Sequence, residues 1–258
     1  MDNNRRKIAF LISGESRDSY IGTGQDQRIY NSHKQHIFND ELQNNYDYDV
    51  YIATDNTTHD KCLNVFGSHL KEIILVDSNK VELVRGLSKG VEYQFHKLYH
   101  AWQLMYKNGL HYDYVVRLRP DVIIYHDFPP FLFSLDRKLE QEIIFAWDML
   151  YVGRYDIMRH ICNHYNHLFT NHSQLQIYQF EHNGLMKYNR YYNEWNMNLQ
   201  IPELQLCESA MQYITLKGKS ITNSLIDGKI DLQIRNDPRH YKNNNYPDDY
   251  YSRDNIQN

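Results

Sequence analysis

The sequence predicts an α/β chain: a Rossmann-type, mostly parallel sheet with helices on both faces. Three observations carry that expectation. Short apolar runs recur along the first half, separated by segments with helical spacing. The first run, "KIAFLISG" (7–14), is apolar throughout, as a strand covered on both faces must be. A later run, "YDYVVRLRPDVII" (112–124), is apolar at both ends but carries Arg117, Arg119 and Asp121 in its middle. Strand–helix alternation of this kind favours parallel pairing with right-handed crossovers. The loops after the strands then line one edge, where ligands bind.

The elements follow in order. The first strand is 7–14, followed by polar helical sequence around 25–40. "DVYIAT" (49–54) and "EIILVD" (72–77) are the second and third strands. Residues 91–108 form a helix, because Phe95, Leu98, Trp102 and Met105 recur at helical spacing, and Asn108-Gly109 supplies its stop. The 112–124 run is the fourth strand. "EIIFAW" (142–147) is a further strand, and 154–169 a helix with Met158, Ile161, Tyr165 and Leu168 on one face. "CESAMQYITLKG" (207–218) is a short helix and "KIDLQIR" (229–235) a last strand. From Tyr241 onward there are almost no aliphatic residues, so 241–258 is expected to be a mobile tail.

Composition bounds the function. The 258 residues, 41% hydrophobic and 23% charged, can build a sizeable core in one domain or two fused lobes. A net charge of −4 argues against nucleic acid and against a membrane surface as partners. Cys62, Cys162 and Cys207 are odd in number and widely spaced, which favours a reducing compartment over a disulfide framework. The apolar run after Arg5, Arg6 and Lys7 is shorter than the roughly 7–15 residues of a signal-peptide core. No run approaches the ~20 apolar residues of a membrane span. The expectation is a soluble cytoplasmic protein.

Residues 117, 119 and 121 have one parity and share a face while the chain stays extended. Pro120 has no N–H, so the ladder should end there. The charged group therefore sits where a buried strand emerges at the ligand edge. Asp121 can hold a divalent cation through oxygen, with phosphate oxygens in other positions. Arg117 or Arg119 can grip phosphate with fixed planar donors. Equally, Arg119 and Asp121 can be a structural ion pair that closes the strand end.

This stretch resembles the central motif of GT-A type, nucleotide-sugar-dependent glycosyltransferases. Many of these carry Asp-x-Asp between two hydrophobic strands. A subset tied to viral and bacterial polysaccharide synthesis reads Arg-x-Arg-Pro-Asp. "AFLISGESR" (9–17) is similar to that subset's first strand and nucleotide loop, and "VYIATD" (50–55) to its second strand. Gln94, Lys97 and Ala101 resemble the helix before the motif. "WDMLYVGRYDIM" (147–158) resembles a segment after the acceptor-side strand, and Glu208 a glutamate on a late helix. Arg119 departs from the main pattern by replacing the first Asp, leaving Asp121 as the lone acid.

The resemblance implies a GT-A-like fold: a nucleotide-sugar-binding half over 1–130 and an acceptor-side half, or C-terminal lobe, over 131–240. It implies transfer of a hexosyl or deoxyhexosyl group from a nucleoside-diphosphate sugar to a hydroxyl of a glycan or glycoprotein. Mn²⁺ or Mg²⁺ would assist through Asp121, with His240 as a second ligand, or Arg119 would supply the positive charge without metal. Ser13, Gly14, Glu15 and Arg17 would meet the phosphates, and Thr54 and Asp55 the base or ribose. Lys97 shares the resemblance but reads equally as a solvated helix residue. The transition state resembles an oxocarbenium ion, and cations near Arg117, Arg119 and Asp121 would stabilise the departing diphosphate. Asp148 is the first candidate for the base that deprotonates the acceptor, and Glu208 the second. Asp148 can also be a plain helix N-cap.

Three other readings fit the residues less well. Asp47-Tyr48-Asp49 is a literal Asp-x-Asp, but it opens a strand on the far edge and reads as solvated. His160, His164 and His167 share a helical face, yet no further ligand completes a zinc site. A sugar nucleotidyltransferase needs a Gly-rich, basic loop after the first strand, and "SGESRDS" (13–19) is poor in Gly and Lys. Two alternatives remain: a non-catalytic nucleotide- or carbohydrate-binding domain on the same fold, and a sugar nucleotidyltransferase, against which that loop counts.

Overall fold

A computed structural model describes residues 5–16, 19–22, 27–80, 89–124, 144–146, 150–163 and 232–234. In chain order these form β1 (Arg6–Ser13), α1 (Gln27–His36), α2 (Asp40–Asn45), β2 (Tyr46–Thr54), α3 (His59–Phe66) and β3 (Leu70–Leu75). There follow α4 (Lys89–Lys107), β4 (Tyr114–Leu118), β5 (Val122–Ile124), β6 (Ile144–Ala146), β7 (Leu150–Arg154), α5 (Tyr155–Cys162) and β8 (Leu232–Ile234).

The main sheet runs β3-β2-β1-β4-β7-β6. Its first four strands are parallel. β7 then pairs antiparallel with β4, and β6 antiparallel with β7. The mostly parallel α/β architecture is the one the sequence predicts. β7 itself was not anticipated, because its five residues carry no alternation and are buried until the last.

The sheet is covered on both faces, and strand parity sorts the side chains. Ile8, Phe10 and Ile12 of β1, Val50 and Ile52 of β2, and Val116 and Leu118 of β4 join one core with Ile29 of α1 and Phe66 of α3. Ala9 and Leu11, Tyr51 and Ala53, and Val115 face the other way, onto Phe95, Leu98, Trp102 and Met105 of α4 and Met158 and Ile161 of α5. The helical stripe read from 91–108 is thus the buried face of α4. That helix ends at Lys107, and Gly109 adopts φ +67, a left-handed conformation that glycine enters without Cβ strain.

The short helices α2 and α3 escaped the sequence reading because each is only two turns or so; their caps mark them instead. Asn39 accepts from the Leu42 N–H, and Thr58 from the Lys61 N–H. Helix α5 spans Tyr155–Cys162, the N-terminal half of the expected 154–169 helix. The expected helix at 207–218 and tail at 241–258 lie outside the described residues, as do His164 and His167.

β4 stops at Leu118, directly before Arg119-Pro120. β5 then leaves the main sheet and pairs antiparallel with β8. The proline therefore ends the ladder where its missing N–H requires.

The charged tip of the fourth strand

Strand order reverses at β1. The chain runs outward through β2 and β3, then returns to place β4 on the other side of β1. The tips of β1, β2 and β4 thus converge at a switch point, the position where open parallel sheets hold ligands.

At the tip of β1, Gly14 has φ +150. A Cβ built there would lie 3.1 Å from Pro120 Cδ and 3.9 Å from Arg119 Cγ. The β1 loop and the Arg-Pro-Asp turn therefore touch backbone against side chain. Only glycine fits without displacing the turn.

At the tip of β2, Asp55 is gathered onto one oxygen. Its Oδ1 accepts from the Ser16 N–H at 2.9 Å, the Ser16 hydroxyl at 3.1 Å and the Thr54 hydroxyl at 3.1 Å. Lys97 Nζ approaches the same oxygen at 3.9 Å. Burial alone would raise the Asp55 pKa, but the Ser16 hydrogen bond and the Lys97 charge outweigh it and hold the group below the usual range. The Asp55 side chain is 36% exposed. Lys97 is no solvated helix residue. It is buried, with its ammonium 3.9 Å from Asp55 Oδ1 at the tip of β2.

At the tip of β4 the three charges divide. Arg117 has the parity of Val115, so it points to the α4 and α5 side, where its register partners are Leu11 and Tyr151. It is 0% exposed. Its Nε donates to Ser13 Oγ at 3.4 Å, and its guanidinium lies 5.3 Å from the centre of the Tyr151 ring. A direct phosphate grip by Arg117 is thus not what the structure presents; it supports Ser13 from beneath. Arg119 and Asp121 follow the break in the ladder and no longer share its face. Arg119 Nε and Nη2 donate to the two oxygens of Asp121 at 2.9 Å each, with the side chains 13% and 6% exposed.

A network behind this pair fixes β5. His33 Nε2 donates to the Val122 carbonyl at 2.7 Å, and its Nδ1 accepts from the Tyr20 hydroxyl at 2.8 Å. Ser32 Oγ accepts from the Ile124 N–H at 3.2 Å. Burial lowers the His33 pKa to about 4, partly offset by the Val122 hydrogen bond and the Asp121 charge. The ring is neutral at pH 7, consistent with those donor and acceptor roles. Nothing in the sequence marks His33, because a lone histidine in a polar helix has no readable pattern.

Asp49 of the literal Asp-x-Asp lies at the opposite edge, as expected, but is not solvated. It is buried, bonded by Lys7 at 2.9 Å, Lys71 at 3.1 Å and the Tyr112 hydroxyl at 2.7 Å. Three donors, two of them lysines placed by neighbouring β1 and β3, make burial of the carboxylate tolerable.

Arg17, Asp148, Glu208 and His240 lie outside the described residues. Asp121, with both oxygens on Arg119, does not fit a divalent cation while that pair is closed. No group of three or more His, Cys, Asp or Glu that could hold a metal occurs among the described residues. No helix among them is long and apolar enough to cross a membrane.

No protein-family model and no curated protein sequence matches the chain. Among solved structures, it is similar to the mannosyltransferase Ktr4p from S. cerevisiae in complex with GDP, at 16% identity and a TM-score of 0.34, over 56% of this chain and 40% of that one. It is similar to LgtC, a galactosyltransferase captured with donor and acceptor sugar analogues, at 11% identity and a TM-score of 0.32, over 79% and 69% of the two chains. It is also similar to a nucleoside-diphosphate-sugar pyrophosphorylase from Vibrio cholerae, at 10% identity and a TM-score of 0.43, over 91% and 98%. The chain spans less than half the length of the first of these. At such scores the functional reading has to stand on the residues.

Proposed function

We propose that the chain is a glycosyltransferase that moves a sugar from a nucleoside-diphosphate sugar to a hydroxyl acceptor. One observation carries this reading: at the sheet's switch point, Gly14 touches the Arg119-Pro120-Asp121 turn, and the Asp55–Lys97 pair sits on the next strand tip.

Each part has a task that this chemistry needs. Asp55, partly exposed, can accept from a ribose hydroxyl, while Ser16, Thr54 and Lys97 keep the group ionised. Gly14 allows a diphosphate to approach the β1 loop closely. Asp121 takes Nε and Nη2 of Arg119 and fixes the guanidinium at the strand tip. A guanidinium is a planar donor set that a departing diphosphate can take. Negative charge grows on the leaving oxygen as the glycosidic bond breaks, and a fixed cation in a low-dielectric edge stabilises it as it forms. Arg117 acts one layer deeper, by holding Ser13. Asp148 is assigned as the base that takes the acceptor proton, with Glu208 as the second candidate. The donor set argues for charge supplied by Arg119, so no step here runs through a metal.

The test is a panel of nucleoside-diphosphate sugars incubated with the full chain, reading nucleoside diphosphate released by slow hydrolysis or transfer. Release from one or a few donors supports the reading. Binding without turnover over the whole panel would make the chain a non-catalytic nucleotide-binding domain. Release of pyrophosphate from a nucleoside triphosphate and a sugar phosphate would make it a nucleotidyltransferase.

A further inference from the structure

Helix α4 carries a second cluster that the reading above leaves unused. His96 and His100 are one helical turn apart, and both are partly exposed. Their Nε2 atoms lie 3.0 Å apart, with the rings tilted at 79° and their centres separated by 4.4 Å.

We infer that His96 and His100 form a two-imidazole site for a transition-metal cation, with Ni²⁺ or Cu²⁺ the best match. The argument is geometric. Two metal–nitrogen bonds of about 2.1 Å span about 3.0 Å when they enclose an angle of about 90°. That is the cis angle of tetragonal or octahedral coordination, the preference of Cu²⁺ and Ni²⁺ with nitrogen ligands. A tetrahedral ion such as Zn²⁺ would need the nitrogens about 0.3 Å farther apart. The nitrogen spacing thus matches a tetragonal ion, and the two rings turn out of their mutual hydrogen bond to aim both Nε2 lone pairs at it.

The protonation state is compatible. Burial, the neighbouring His100 and the Lys97 charge lower the His96 pKa to about 4, and burial and Lys107 lower that of His100. Both rings are neutral at pH 7. In the metal-free pair one Nε2 carries the proton and the other accepts it. Chelation moves that proton to Nδ1 of its own ring, a tautomer change with no net proton release, and both Nε2 lone pairs then face the ion. Among the described residues no third His, Cys, Asp or Glu joins the pair. Bridging one turn of α4 favours the helix over the unfolded chain, so binding must also raise thermal stability.

The test is calorimetric titration of the tag-free full chain with NiCl₂ in a non-chelating buffer, alongside thermal melts. One saturable site and an upward shift in Tm are expected. His96→Gln and His100→Gln should each weaken Ni²⁺ at least about tenfold and abolish the Tm shift. His164→Gln is the reference, because the His160, His164 and His167 spacing is the competing candidate. Zn²⁺ should bind more weakly than Ni²⁺, and millimolar Mn²⁺ or Mg²⁺ should not compete, since imidazole pairs disfavour hard cations. Metal-free melts show whether each variant folds; His100→Gln decides should His96→Gln fail. The inference is overturned if the wild-type chain shows no saturable Ni²⁺ site, if the pair variants bind undiminished, or if His164→Gln alone removes binding. None of these outcomes depends on whether the chain transfers sugar.

Discussion

Asp121 and Arg119 make the sharpest prediction, because their pairing can be measured separately from any activity. Each nitrogen–oxygen contact is 2.9 Å, and the side chains are 6% and 13% exposed. Asp121→Ala takes the carboxylate from a guanidinium that is nearly buried. Removing one partner of a buried pair costs about 3–5 kcal/mol, and the residual exposure of Arg119 places the expected loss at about 3 kcal/mol. Arg119→Met takes the guanidinium from the carboxylate and should cost a similar amount. The double variant removes both charges, so it should lose less than the sum by about 2 kcal/mol. For a chain of this size each kcal/mol moves Tm by about 2–4 °C, so each single variant should melt roughly 6–12 °C early. Urea melts of the four proteins close the cycle. Nucleoside diphosphate binding, read by thermal shift, should fall in Arg119→Met and stay lost in the double variant. Additivity within about 0.5 kcal/mol would show that the two side chains do not sense each other and would remove the orienting role given to Asp121. A nucleoside diphosphate that binds Arg119→Met as tightly as the wild type would remove the phosphate role given to Arg119.

Other substitutions probe the rest of the edge. Gly14→Ala combines an unfavourable φ of +150 with a 3.1 Å contact to Pro120 Cδ; a loss of about 2–3 kcal/mol is expected in urea melts, with weaker nucleotide binding. Lys97→Met keeps the packed stem and removes the charge near Asp55, so nucleotide binding should weaken, and the Asp55 pKa, followed by NMR, should rise. His33 supplies a pH signature. Its folded pKa of about 4 lies below the ordinary 6.5, so the unfolded chain binds the proton first as pH falls. Stability from this group is complete above pH 6.5 and is lost progressively toward pH 4, by up to about 3 kcal/mol. His33→Gln should flatten that part of the stability–pH curve relative to the wild type, and an unchanged slope would show that the ring titrates normally.

The fold was legible where burial imposes a period. β1, β2 and β4 are covered on both faces, so each holds a continuous apolar stretch (Ile8 to Ile12, Val50 to Ala53, Tyr114 to Val116), and α4 shows its stripe because one side alone meets the sheet. The stop at Gly109 and the break at Pro120 were readable because each rests on a backbone property of a single residue. The short α2 and α3 were not, since two helical turns hold too few apolar positions to establish a period. Position along a strand likewise told which edge Asp49 and Asp121 occupy, but not what surrounds them. Asp49 reads as a solvated strand opening until β1 and β3 bring Lys7 and Lys71 to it from either side. Lys97 reads as a surface lysine until α4 lies across the tip of β2. In both cases the partners come from distant sequence, which periodicity cannot report.

The division between Arg117 and Arg119 follows from one backbone event. A continuous strand would have carried both arginines and Asp121 onto the α4 face, under the helices, where none could reach a ligand. Pro120 removes a ladder donor, β4 ends, and the chain swings out to pair β5 with β8. Arg117 stays inside and supports Ser13, while Arg119 and Asp121 are delivered to the rim beside Gly14. His33 and Ser32 then hold β5 by its Val122 carbonyl and Ile124 N–H, so the turn between the two strands has little freedom left. On the proposed transfer reading, a cation that meets developing charge has to be held before the charge appears, and a proline break clamped through β5 would supply that restraint.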